Sequence, residues 1–207
     1  MLQSITEMLI ALPAIVIALT FHEYAHGKTA DLLGDSTPYY QGRLTLNPLP
    51  HIDWLGFLML FIFQFGWAKP VQVNPFNFKK MGIKKGMMLV SLAGPGMNIL
   101  LAFIGLLLYK FLLPVQGLEW GTVAINLVQP LISINLILAA FNLIPLPPLD
   151  GSKILAGLLP DEGAHLIYSL EQYGPLILLL LIITGIAGKI FLPLANMLYR
   201  LLLAIVF

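Results

Sequence analysis

Two histidines and a glutamate stand within five positions at the end of an apolar run. Met8 to Phe21 (MLIALPAIVIALTF) carries no charged side chain, and Phe21-His22-Glu23-Tyr24-Ala25-His26 closes it. On a helix, residues four apart lie one above the other, so His22 and His26 can offer two imidazoles to a single metal ion. Glu23 follows the first histidine directly, where HExxH sequences carry the base that acts on water. A lone Lys28 at a membrane-helix end can snorkel to the headgroups, but three polar groups on one turn cannot be disposed of that way. Ionisable groups at membrane depth are costly and are kept for function.

The elements that must position this cluster are membrane helices. Of 207 residues, 58% are hydrophobic and 10% charged, with a mean hydropathy of +0.89. Soluble domains carry about 25% charged residues. A net charge of +1 without a large basic block argues against a nucleic-acid partner. The absence of cysteine excludes disulfides, thiolate metal sites and a cysteine nucleophile, leaving His, Asp and Glu to hold a metal. The first apolar run lacks a basic leader and contains the motif, so it reads as a retained helix rather than a removable signal.

The expected fold is an all-α polytopic membrane protein, a bundle of about five to six transmembrane or re-entrant segments. It is read as one integral membrane domain over 1–207, with a core at about 8–155 and closing hydrophobic segments at 174–207. The first helix is expected from about Met8 to Thr29. Asp31 to Asp53 is rich in Gly, Pro, Asn and Asp, and Gly42-Arg43-Leu44-Thr45-Leu46 alternates like a short strand. This predicts a small β-hairpin-like, membrane-associated insertion. Trp54 to Trp67 is short for a crossing and suits a re-entrant or interfacial segment; Ala68 to Phe78 looks extended. Long helices are predicted at Gly86–Leu113 and Thr122–Leu143, the latter breaking at Pro145, Pro147 and Pro148 before Leu149-Asp150-Gly151. Pro160 to Tyr173 mixes charged and apolar residues as an interfacial stretch does.

Charge asymmetry orients the bundle. If Trp54–Trp67 does not cross, then Lys28, Arg43, Lys69, Lys79, Lys80, Lys84, Lys85 and Lys153 share one side, with Lys110 on the other. The positive-inside rule makes the crowded side cytoplasmic. The same assumption brings the histidines, Gly94-Pro95-Gly96-Met97-Asn98 and Asp150 to similar depth.

A catalytic zinc takes three protein ligands and leaves a position open. Asp150 is the outstanding third ligand, after an apolar, proline-rich run and before a glycine; the competing reading is an N-cap for the following helix. His165, in the interfacial stretch, is a weaker candidate, and His51, beside Asp53, reads as a surface or structural histidine.

Three motifs in order carry a family resemblance: His22–His26, Gly94-Pro95-Gly96-Met97-Asn98, and Asn142-Leu143-Ile144-Pro145-Leu146-Pro147-Pro148-Leu149-Asp150-Gly151. With the GRLTLNPLPHID and GWAKPVQVNP stretches they span about residues 15 to 155, and the chain resembles the site-2 protease family of intramembrane zinc metalloproteases (peptidase family M50). The match is to the compact bacterial and archaeal members without a PDZ or CBS module. The resemblance implies one zinc held by His22, His26 and Asp150, Glu23 as catalytic base, and Asn142 and Asn98 facing the site as substrate or oxyanion donors. For Asn98, helix–helix bonding is the competing role. It also implies a membrane-spanning protein or peptide substrate, in a multi-pass protein of a prokaryotic cell membrane. Because a helical substrate hides its carbonyls in hydrogen bonds, its membrane segment is expected to unwind locally and to pair as an added strand with Gly42–Leu46 or Val71–Val73. A zinc or ion transporter and a non-catalytic scaffold are the rival classes. A transporter calls for further polar residues along a route, and structural zinc for a fourth ligand; the sequence offers neither.

Overall fold

A computed structural model of the protein describes residues 5–63 and 66–207. The order of α-helices is α1 (Ile5–Leu33), α2 (Thr37–Tyr40), α3 (Trp54–Phe63), α4 (Ile83–Leu112), α5 (Glu119–Asn142), α6 (Asp150–Leu158), α7 (Asp161–Ser169), α8 (Gly174–Ile183) and α9 (Ile186–Val206). Among the described residues, α1, α4, α5 and α9 are long and apolar enough to cross a membrane, and the α7–α8 pair, bent by 67°, makes a fifth if counted as one broken span. The protein is therefore a multi-pass membrane protein of helical class.

Helices α1, α4 and α5 form the centre, and small residues let them approach. The buried face of α1 carries Ala11, Ala14, Ala18, Ala25 and Ala30. That of α4 carries Gly86, Val90, Gly94, Asn98 and Ala102, a row spaced by four. Without a hydrophobic drive between helices in lipid, such rows gain stability from close backbone packing and interhelical hydrogen bonds. A Cβ on Gly105 of α4 would come within 2.8 Å of Ile132 on α5. Helix α9 completes one side, its Leu202 and Val206 packing with Ala102, Leu106, Ile132 and Leu136.

The expected β-hairpin insertion is not present. Among the described residues there is no strand, and the only pairing of that type is an isolated antiparallel bridge between Ile52 and Ala68. The five alternating residues at 42–46 have no partner strand; Gly42 turns the chain at φ 66°, and Pro48 and Pro50 withhold donors. Side chains satisfy the backbone instead. The Arg43 guanidinium donates to the carbonyls of Pro50 (2.7 Å) and Lys69. Asp35 accepts from Thr37 N, Thr37 Oγ1, Asn74 N and Asn77 Nδ2 at 2.6–3.1 Å. Val71–Val73 is part of no strand, and the Val71 N–H is taken by a side chain described below.

Helix α3 has ten residues, about 15 Å, half of a bilayer core. Asp53 starts it by accepting from Gly56 N at 2.8 Å. Beyond its end the chain doubles back so closely that a Cβ on Gly56 would lie 2.3 Å from the Trp67 carbonyl. Of the stretch read as re-entrant, Gln64 and Phe65 lie outside the described residues.

Candidate metal centre

His22 and His26 sit on successive turns of α1 and are 5% and 9% exposed. Their Nε2 atoms are 2.9 Å apart, and Asp150 Oδ2 lies 3.3 Å from the first and 3.2 Å from the second. Bonds of 2.0–2.1 Å around a tetrahedral zinc set ligand atoms about 3.3 Å apart. The triangle is close to that size.

What each nitrogen must be follows from its other partner. His26 Nδ1 is 2.7 Å from the Val90 carbonyl, which can only accept, so Nδ1 carries a proton there. His22 Nδ1 is 2.6 Å from Asn98 Oδ1. The Asn98 amide is oriented by Nδ2, which donates to Ala18 O (3.1 Å) and to Asn135 Oδ1 (2.8 Å). Asn135 is oriented in turn by donating to Leu131 O at 2.8 Å. Both histidines therefore donate through Nδ1 and turn a lone pair on Nε2 toward the centre. Asp150 Oδ2, buried, has no hydrogen-bond donor. Three acceptors converge with nothing between them to donate, which calls for a cation. Outer hydrogen bonds of this kind fix imidazole tautomer and direction in metal sites.

The backbone of α4 forms one wall. A Cβ on Gly94 would meet His26 Nε2 at 2.5 Å and His22 Cε1 at 2.6 Å, so only glycine lets the helix lie against both rings. Val90, Gly94 and Asn98, spaced by four, thus supply a carbonyl, a gap and an amide on one face of α4. Asp150 begins α6 after the proline run as its first helical residue, the N-cap position being Leu149. The tight turn depends on Gly151, where a Cβ would fall 2.4 Å from the carbonyls of Leu143 and Ile144.

Glu23 points elsewhere on the turn, and its Oε2 accepts from Val71 N at 2.8 Å. Asn98, expected to face the site, spends both amide hydrogens on Ala18 and Asn135 and holds His22 instead. Asn142, half-buried, donates to Leu138 O one turn back on α5. His51 and His165 are not in the cluster; among the described residues His22, His26 and Asp150 are the one group of His, Asp or Glu placed to share a metal. Sequence reasoning missed Asn135, fully buried within ISINLILAA. An amide seven residues before Asn142, on the same face of an apolar helix, was the available signal. It named Val71–Val73 as a pairing stretch but missed the Val71 N–H as the partner of Glu23, since a backbone donor carries no mark in the side chain.

Comparison with known proteins bears on the chain's family. The profile of peptidase family M50 matches residues 109–184. The chain is 39% identical over 186 residues to YwhC of Bacillus subtilis, named as a zinc metalloprotease, covering 88% of this chain and 84% of that protein. It is 31% identical over 185 residues to Rip2 of Mycolicibacterium smegmatis (85% and 67% covered) and 30% identical over 156 residues to MJ0611 of Methanocaldococcus jannaschii (73% and 72% covered), both named likewise. No solved structure matches the chain. The acceptor triangle and these similarities agree: the chain belongs to peptidase family M50 and is a zinc-dependent metallopeptidase.

Proposed function

We propose that the protein is an intramembrane endopeptidase that cleaves a peptide bond in or near a membrane-spanning segment of another protein. The observation that carries the reading is the set of three donorless acceptors, His22 Nε2, His26 Nε2 and Asp150 Oδ2, inside a bundle of apolar helices. These three residues would hold one zinc. When bound, zinc supplies Lewis acidity, lowering the pKa of water to near 7 and polarising a carbonyl.

The chain supplies the proton traffic and the alignment. Glu23 takes a proton from the attacking water as its oxygen bonds to the scissile carbonyl carbon. It passes that proton to the amide nitrogen as the C–N bond breaks, so the leaving group departs as an amine. The Val71 N–H holds the Glu23 carboxylate in one direction, which limits the reorganisation the base needs. Asn98 and Asn135 orient His22, and Val90 orients His26. Asn142 keeps one amide hydrogen after serving Leu138 and is the proposed donor to the substrate carbonyl oxygen. Cleavage within a bilayer needs a substrate whose helix unwinds, because helical carbonyls are hydrogen-bonded.

The basic residues Arg43, Lys69, Lys79, Lys80, Lys84 and Lys85 all fall between the apolar cores of the two crossings α1 and α4, and Lys153 follows α5. The positive-inside rule supports a cytoplasmic position for that end and hence for the site, in a prokaryotic cell membrane.

The test compares purified wild type, Glu23→Gln and Asp150→Ala for zinc content and for cleavage of a model membrane-spanning substrate. The expected result is one zinc and cleavage for wild type, zinc without cleavage for Glu23→Gln, and neither for Asp150→Ala. Cleavage by Glu23→Gln would overturn the assignment of the base. Zinc flux into liposomes without cleavage would favour a transporter.

A further inference from the structure

His51 is one of the largest fully buried side chains, at 2% exposure, yet it lies on a loop outside the long helices. Its Nε2 is 2.9 Å from the Thr45 carbonyl, which can only accept, so the proton of the neutral ring is on Nε2. Nδ1 is therefore a lone-pair acceptor, and it is buried without a hydrogen-bond partner. Burial holds the imidazole below its ordinary pKa of 6.5, the Arg43 charge adds to this, and the Thr45 bond and the Glu23 charge oppose it; the net direction favours the neutral ring, with Nδ1 an acceptor. Leaving such an acceptor dry is costly, and fold-level bonding does not explain it.

The surroundings say what could use it. His51 lines a cavity of about 780 Å³ between α1, α3, α5 and the α8–α9 junction, the size of a ligand site, whose walls are mostly apolar. On α1 the wall is formed by Val16, Leu19 and Thr20, and Glu23 is the next residue along that stripe, four beyond Leu19. On the other side, the His51 carbonyl accepts from Lys69 N at 2.9 Å, and two residues on, Val71 N donates to Glu23. His51 and Glu23 are thus held by the same short segment, Lys69 to Val71, and the cavity wall on α1 ends at Thr20, one turn before Glu23.

We propose that His51 is a substrate-binding residue whose Nδ1 accepts a hydrogen bond from a backbone N–H of the unwound peptide as that peptide passes through the cavity toward Glu23. An unwound segment in an apolar site carries N–H groups that have lost their helical carbonyls, and each needs an acceptor there. An apolar cavity with one neutral acceptor matches that need without favouring any particular side chain. The inference rests on the endopeptidase reading and names how that site takes its substrate. The rival use of Nδ1 is a buried water shared with Arg43 Nε, the other unpartnered buried atom of this loop.

The test measures binding rather than turnover, in the Glu23→Gln background so that the peptide survives. The probe is a Leu/Ala-rich membrane-spanning peptide with a central Asn-Gly helix break. A matched set has one backbone N–H of the break region at a time replaced by an ester oxygen. With His51 intact, one ester position should weaken binding about fivefold, the worth of one buried hydrogen bond. In His51→Leu the all-amide peptide should bind about fivefold more weakly and that ester position should cost nothing further. His51→Gln, which restores an acceptor, should recover part of the loss. Zinc content measured alongside reports folding and should be the same in all variants. If the peptide binds and wild type cleaves it, but no ester position distinguishes the His51→Leu variant from the protein with His51 intact, the inference falls, water is the occupant, and the endopeptidase reading stands. If wild type neither binds nor cleaves the peptide, the membrane-segment substrate class falls and this inference with it.

Discussion

Asn98 carries more of the site than its position in an apolar helix announces. Its oxygen takes the His22 Nδ1 proton while its two amide hydrogens are committed to α1 and α5, so one side chain sets a tautomer and ties three helices. Replacing it with leucine leaves His22 free to rotate or to protonate Nε2. Zinc affinity of Asn98→Leu should fall about 10- to 100-fold, as measured by competition with a chelator, because orienting partners of metal-binding histidines are worth that much. An affinity equal to wild type would show that ring packing alone orients His22.

At the scale of elements, the polar stretch between α1 and α4 behaves as a rigid brace, and Asp35 is its knot. Its buried carboxylate accepts from α2, from Asn74 and from Asn77, closing the C-terminal end of α1 onto the segment that reaches Glu23. Burial alone would raise its pKa, but the hydrogen bonds from Thr37, Asn77 and Asn74 outweigh it and hold the group below the ordinary 3.8. With the folded value depressed, the stabilisation is complete above the unfolded pKa and is lost as pH falls through the folded one. Thermal melts in detergent should show Asp35→Asn less stable than wild type by about 2 kcal/mol near neutral pH, with the gap narrowing below about pH 4. A gap that is constant from about pH 3 to 7 would contradict this account.

For the whole molecule, the arrangement of crossings makes a labelling prediction that the sequence makes easy to test, since it contains no cysteine. Single cysteines at Gln41, Lys80 and Pro160 should be reached by a membrane-impermeant maleimide from one side only, and a cysteine at Gly117 from the other. In intact cells Gly117→Cys should label and the first three should not. The reverse pattern would invert the orientation drawn from the lysines. Labelling of Gln41→Cys and Lys80→Cys from opposite sides would mean that α3 is part of a crossing after all.

The candidate metal-binding residue types and the membrane class were legible from residues alone, because each rests on local information. HExxH works through the helical repeat, spanning segments announce themselves by length and apolarity, and an acid in a proline-rich apolar run has few other uses. Asp150 was legible as a ligand candidate, but only the tertiary structure, through the turn at Gly151, brings its carboxylate to the two imidazoles. The hairpin expected at Gly42–Leu46 failed for the same kind of reason. Alternation states which faces a strand would have, but a strand exists only if another backbone pairs with it, and here Arg43 takes the Pro50 and Lys69 carbonyls, Asp35 takes Asn74 N, and His51 takes the Thr45 carbonyl. Asn98, Asn135 and Val71 have roles made by contacts between residues far apart in the chain, and His51 takes its meaning from a cavity walled by five helices, α1, α3, α5, α8 and α9. A buried amide or an unpaired imidazole nitrogen has no meaning until packing decides which partners remain within reach, and that is a property of the tertiary structure.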